Sequence, residues 1–295
     1  MAGSFVRKFA FDQLPLHGAF VELTDVWHKI STQKEYPEGI KQVVGELLAA
    51  NILLTTNIKL DGKIIAQIQG NPKLDLIVSE CNNDLKVRAT AKFATSIHQD
   101  NQVSYMDCMH EGSLVITIDS NSAGKMYQSV VALTGHALDE VLTEYMLQSE
   151  QLRTVFFIAY SKKKIVGFML QKLPDPEEIY NDDIERIFYL AQTIKYHELL
   201  ITENSALLKQ LFSEDDIILF DAKPVQFSCS CGHNRVVNII RSLGLEEAQS
   251  IIADEGMIKV TCDFCNSVYV FTEADILHMF NNLALDLECI SSEPN

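Results

Sequence analysis

The sequence predicts an α+β protein in three parts: a mixed sheet-and-helix core over residues 1–173, an acidic helical linker over 174–225, and a small C-terminal domain over 226–295. Three observations predict this. In the first part, short β-type runs separated by Gly, Asn and Asp alternate with two helical stripes. A proline-rich break, Leu173-Pro174-Asp175-Pro176, coincides with a change in charge. Two close cysteine pairs lie thirty residues apart towards the C-terminus.

The first helical stripe runs from Pro37 to Leu54 and sets Ile40, Val43, Val44, Leu47 and Leu48 on one face, with the proline suited to a first turn. Asp61-Gly62 then reads as a hairpin turn between the runs IKL and KIIAQIQ. Further strands are predicted at 74–80, 85–91, 113–119, 127–133, 154–160 and 164–170. A second helix is expected in 137–151, where Leu138, Val141, Leu142, Tyr145 and Met146 share a stripe. The expectation is a sheet of six or more strands packed against two helices. After the break, Asp182 and Glu185 have capping-box spacing, and Ile184, Ile187, Phe188, Ala191 and Ile194 repeat on one face. A further helix from Ser205 to Phe212 ends in Glu214-Asp215-Asp216, where negative charge opposes the helix dipole.

Charge sharpens the division. The 295 residues carry 40 acidic and 24 Lys or Arg side chains, a formal net charge of −16. Residues 1–173 hold 18 acidic and 17 basic groups, whereas 174–295 hold 22 and 7. Nucleic acid and anionic membranes are thereby disfavoured as partners, since both require clustered positive charge. With 47% hydrophobic residues and 25 aromatic rings, the chain has enough apolar surface to build a core. The N-terminus lacks an uninterrupted apolar run ahead of a small-residue cleavage site, and no stretch nears the ~18 apolar residues of a membrane span. A reducing cytoplasm is expected, where clustered cysteines serve metal or redox chemistry rather than a disulfide framework.

Cys229-Ser-Cys231 and Cys262-Asp-Phe-Cys265 are that cluster. Each short pair supplies two thiolates from one backbone segment, and the long loop lets the pairs converge, as a tetrahedral zinc site made of four cysteines requires. One Zn2+ per chain is expected. In an extended segment, residues i and i+2 lie ~6.6 Å apart at Cα, near the upper limit for a disulfide. Links within each pair are therefore accessible on oxidation, while zinc joins one pair to the other. Such a site serves either as a staple or as a switch, and spacing alone does not choose. Arg235 is placed to favour thiolate, and His233 is a competing ligand of low rank. Cys81, Cys108 and Cys289 stand alone and read as buried or inert thiols.

Catalytic motifs fail. His197-Glu198 begins an H-E-x-x-H pattern, but Ile201 occupies the position of the second histidine, and no nucleophile elbow, Walker loop or dinucleotide fingerprint occurs. His136 reads as a capping or surface residue. A nucleic-acid-binding zinc ribbon is disfavoured by a segment 226–295 with three basic residues, Arg235, Arg241 and Lys259.

These residues resemble the bacterial redox-regulated 33 kDa chaperonin family, heat-shock protein 33, over nearly the whole chain. The family's C-x-C and C-x-x-C tail is matched by Cys229, Cys231, Cys262 and Cys265, and 254–265 resembles the segment around its second pair. Tyr36-Pro37, Gln69-Gly70, Tyr145 with Ser149-Glu150-Gln151, and Thr193-Ile194-Lys195 with Glu198-Leu199-Leu200 add to the likeness. Gly232 stands where the family commonly has Ser, and Arg153 where it often has Pro. The resemblance implies an ATP-independent holdase, not an enzyme, dormant while reduced and zinc-bound. It implies disulfides Cys229–Cys231 and Cys262–Cys265 on oxidation by peroxide or hypochlorite, zinc release, and unfolding of the metal domain and linker. Unfolding client proteins are then the partners, and the active form is a homodimer. The alternative is a non-redox protein whose four-cysteine zinc site is purely structural.

Overall fold

A computed structural model describes residues 3–58, 61–71, 74–93, 103–120, 126–134, 137–174 and 182–280. The chain divides into two compact units, Met1–Ser228 and Cys229–Asn295. The first is organised around one helix, α2 (Glu38–Asn57), which follows α1 (Asp25–Ser31). Pro37 stands at its N-cap in an extended conformation rather than inside the first turn. Every residue from Val43 to Thr55 is buried, so the helix is enclosed all round and not along one stripe. Its apolar side chains meet strands of two separate sheets. A Cβ at Gly45 would lie 2.2 Å from Ile165 Cδ1, which is why glycine lets the helix approach the sheet there.

The predicted single sheet is thus two six-stranded sheets. The strands of one are β1 (Phe5–Phe11), β2 (Leu16–Leu23), β8 (Thr154–Tyr160), β9 (Ile165–Lys172), β10 (Ile217–Leu219) and β11 (Lys223–Pro224). Its order is β10-β1-β2-β9-β8, with β11 also on β1. The other comprises β3 (Gly62–Asn71), β4 (Leu74–Asn82), β5 (Lys86–Lys92), β6 (Ser113–Ser120), β7 (Met126–Ala132) and β12 (Gln226–Phe227). It runs β12-β5-β4-β3-β6-β7. Every strand predicted from 74 to 170 is present. β1 and β2, outside the prediction, interrupt their apolar alternation with Arg7, Lys8 and His17. The hairpin at Asp61-Gly62 is not formed. β3 pairs with β4 on one side and β6 on the other, leaving no free edge for IKL, and Ile58 instead caps α2. Lys59 and Leu60 lie outside the described residues.

The two sheets differ in what covers them. The second turns Ile64, Ala66, Ile68, Leu114 and Ile116 towards α2, and in β3 these alternate with more accessible residues. The first is buried on both faces. Val6, Val21, Phe156, Ile158 and Met169 pack in the α2 core, while Phe9, Phe11, Phe20, Phe168 and Leu170 form a second core on the opposite face. After α3 (Tyr105–Met109) and α4 (Leu138–Gln148), three helices close that face: α5 (Asp182–Ala191), α6 (Tyr196–Ile201) and α7 (Asn204–Leu211). Ile184, Ile187, Phe188, Ala191, Leu207, Leu208 and Phe212 enter this second core. The acidic segment therefore packs as part of the first unit, with 175–181 outside the described residues.

Glu185 does not complete a capping box. Its carboxylate is taken by Arg153, with Nη2 to Oε2 at 2.9 Å and a second bond from Nη1 to Oε1. The same guanidinium lies 4.0 Å from the centre of the Phe188 ring. Arg186 likewise holds Asp215 through two bonds of 3.0 and 2.6 Å, offsetting charge at the end of α7. Truncation of Arg153 to Ala should release one turn of α5. The cation–π contact alone is on the order of 0.5–1 kcal/mol, so amide exchange in α5 should quicken roughly 2- to 5-fold, and added salt should narrow the difference.

A second expectation concerns Glu46, 5% exposed within α2. Burial pushes its carboxyl up to about 7, against hydrogen bonds from Gln42 and Tyr105 that favour the ionised form. The folded chain therefore keeps a proton that the unfolded chain has lost, and stability falls as pH rises towards 7. Glu46→Gln retains an acceptor and cannot ionise. Urea unfolding should show its stability relative to wild type rising by roughly 2–3 kcal/mol from pH 5 to pH 8.

Candidate metal centre

The second unit builds its site from a short loop and a hairpin. β13 (Ile258–Thr261) and β14 (Val268–Phe271) pair antiparallel, and their connection carries Cys262 and Cys265. The turn is closed by Cys262 N–H to Ser267 O and Asn266 N–H to Cys262 O, both 2.9 Å, with Asn266 at a positive φ of 56°. The backbone N–H groups of Phe264 and Cys265 point at the Cys262 sulfur. Cys229 and Cys231 come from the extended segment preceding α8 (His233–Leu243), whose N-cap is Gly232. A Cβ at Gly232 would meet no atom within 4 Å, so the serine common in the resembled family would fit, but here α8 lacks a side-chain cap.

The four sulfurs lie within 4.8 Å of one another, and the structure brings together all four predicted ligands. Two close contacts run from one pair to the other: 3.6 Å for Cys229–Cys262 and 3.2 Å for Cys231–Cys265. A regular tetrahedron with Zn–S bonds of ~2.3 Å has edges of ~3.8 Å, close to the 3.6 Å contact and inside the 4.8 Å limit of the cluster. None of the four is joined in a disulfide. The donor set is wholly soft sulfur, which suits Zn2+ over hard cations.

The surroundings grade the thiols. Burial pushes Cys231 and Cys262 up. At Cys265 burial acts in the same sense but is outweighed by hydrogen bonds from the Ser267 hydroxyl and backbone and from neighbouring thiols, which bring it to about 6. Ser267 Oγ lies 3.2 Å from Cys265 Sγ, and the Tyr269 hydroxyl donates to Cys231 Sγ at 3.3 Å. Sequence spacing missed both residues. The signal was their place on β14 and its approach, immediately after the C-x-x-C turn. Arg235 is directed to Ser230 Oγ at 2.9 Å, and His233 packs on Phe271 with ring centres 5.2 Å apart, outside the sulfur cluster. Cys81 and Cys108 are buried in the first unit, Cys81 with its thiol pushed to about 12 by burial, while Cys289 and His136 lie outside the described residues.

The fold around the sulfurs is slight. Among the described residues, Val236, Val237 and Ile240 of α8, Ala248 of α9 (Leu245–Glu255), Ile258, Phe271, Ile276 and Met279 are its buried apolar residues. Domains this small commonly need a metal or disulfides to fold. Cys262→Ser in the full chain should abolish stoichiometric zinc retention against a chelator. Amides of 229–280 should then lose slow exchange while α2 keeps it.

Known proteins resemble the chain over nearly its full length. The family model described as Hsp33 protein matches residues 4–272. The 33 kDa chaperonin of Methylobacillus flagellatus is 37% identical over 277 residues, 93% of this chain and 94% of the relative. That of Pseudomonas syringae pv. syringae is 36% identical over 288 residues, 96% and 95% of the two chains. The crystal structure of the 33 kDa chaperonin (heat shock protein 33 homolog) from Thermotoga maritima superposes with a TM-score of 0.81. It covers 95% of this chain and 99% of its own at 20% identity, a likeness of fold.

Proposed function

The chain belongs to the Hsp33 protein family, and from that premise we propose that it is a redox-regulated, ATP-independent holdase that captures unfolding proteins and prevents their aggregation. The observation that carries the reading is the convergence of four cysteine sulfurs in a unit whose described residues bury only a small apolar core. In the reduced state Cys229, Cys231, Cys262 and Cys265 would hold one Zn2+, which supplies folding free energy to that unit when bound. Oxidation would join Cys229 to Cys231 and Cys262 to Cys265. Each pair gives up two electrons to one peroxide, which takes two protons and leaves as two waters, and the four sulfurs are then lost as metal ligands. The Ser267 hydroxyl beside Cys265 helps hold that sulfur as thiolate, the attacking form, while the Tyr269 hydroxyl only partly offsets the burial that pushes Cys231 up.

The proposal gives 174–225 the role of a conditional cover, with 1–173 as the constitutive core and 226–295 as the redox switch. Its helices α5–α7 bury Phe9, Phe11, Phe20 and Phe168 of the first sheet. Their departure would uncover a contiguous aromatic face, the chemistry that an unfolding chain's apolar segments need. Homodimerisation of the active form and a cytoplasmic setting belong to the same proposal. No helix among the described residues is long and apolar enough to cross a membrane.

The test is aggregation of a heat-denaturing client, followed by light scattering beside zinc release and free-thiol count. Peroxide with mild warming should release one zinc, consume four thiols and turn protection on, and peptide mapping should find the two links within the pairs. Equal protection by reduced and oxidised protein, with zinc retained, would show a purely structural four-cysteine site instead.

A further inference from the structure

The first unit contains a cavity of about 500 Å3, lined by several segments, among them the β4–β5 connection through Asn83 and Leu85. One wall is β1, another the C-terminal end of α2, and a further one the connection between β10 and β11. Lys8 on β1 and Lys223 on β11 both line it. Val6 pairs with Lys223 across the strands, and Lys8 lies two residues on from Val6, so the two lysines share a sheet face. Neither forms an ion pair among the described residues. Burial, and to a smaller extent the proximity of Lys223, hold the Lys8 ammonium below its ordinary pKa. At the α2 wall, Thr56 Oγ1 is buried with no hydrogen-bond partner. Val6 and Phe220 supply apolar surface, and Phe220 is 49% exposed.

We propose that this cavity is a binding site for a small organic monoanion with an apolar body, of which a medium-chain carboxylate is the simplest member. The anionic head would sit between Lys8 and Lys223, relieving their repulsion, and Thr56 Oγ1 would supply a further hydrogen bond. Phe220 and Val6 would cover the chain. Asp61 and Asp221 also line the cavity. Their two negative charges balance those of the lysines, so the lining as a whole is near neutral and selects against polyanions such as nucleic acid. A single anionic head is favoured only where it lies directly between the two ammonium groups. A neutral ligand would fill the apolar part and leave the lysines opposed. Because Phe220 N–H bonds Lys8 O at 3.0 Å and the ligand contacts both sides of that junction, occupancy would tie residues 217–223 to β1 and α2. The site is independent of the redox reading.

Octanoate titrated calorimetrically into the reduced, zinc-loaded full chain tests it, with acetate and 1-octanol as head-group and chain controls. Saturable binding of one octanoate per chain is expected, weakened on the order of tenfold by Lys223→Met and by Lys8→Met, and weakened by salt. Acetate and octanol should each bind more weakly, and octanoate should raise the melting temperature of the first unit. Amide shifts on titration should centre on Thr56, Phe220 and Lys223. Octanol binding as tightly as octanoate, unchanged affinity in Lys223→Met, shifts centred elsewhere, or no saturable binding would each overturn the proposal. Lys223 is exposed on a two-residue edge strand, so that variant keeps the test valid if Lys8→Met does not fold.

Discussion

The enclosure of α2 constrains the rest of the first unit. A helix buried on every side from Val43 to Thr55 has no solvated face, so apolar surface must be supplied around its circumference. Two sheets do so from separate directions, and residues outside the one-sided stripe, such as Leu53 and Leu54, find partners for that reason. Polar groups on the helix must also be satisfied inside. Asn51 donates to Ile64 O at 3.2 Å and Ser79 O at 2.9 Å, binding helix to sheet, and Glu46 is held by Gln42 at 2.8 Å. Burial of Glu46 is unfavourable to its charge, so the architecture carries a pH-sensitive element at its centre.

The same arrangement leaves the first sheet with a second apolar face. That face is covered by helices drawn from the most acidic part of the chain, so apolar burial and electrostatic self-repulsion act against one another in α5–α7. Two arginines moderate the repulsion, Arg153 through Glu185 and Phe188, and Arg186 through Asp215. Arg153 stands where the resembled family often has proline, which could make neither contact. Arg153 thus fastens α5 by a bidentate pair and a ring contact. Under the proposed function, such contacts set how readily the cover leaves.

In the second unit the balance is different. Few apolar residues are buried among those described, α8 starts without a side-chain cap, and the sulfurs are brought together by a hairpin turn and the segment preceding α8. Close sulfur contacts run between the cysteine pairs, Cys229 to Cys262 and Cys231 to Cys265. That is the geometry of a clamp between two chain segments, and in the proposed switch links within each pair would remove it.

The sequence by itself determined the elements whose signal is local. The strands from 74 to 170, the helix at 137–151 and the convergence of Cys229, Cys231, Cys262 and Cys265 were legible because alternation, helical spacing and ligand spacing act over a few residues. Tertiary structure decided the rest. It divided one expected sheet into two, because only packing shows that α2 is buried all round. It turned Asp61-Gly62 from a hairpin into the entry to β3, because both edges of that strand are occupied by β4 and β6. It drew Glu185 from its own helix end to Arg153, Arg235 to Ser230, and Tyr269 to a sulfur 38 residues away. Side-chain hydrogen bonds choose among partners by distance in space, and no local pattern of residues encodes that distance.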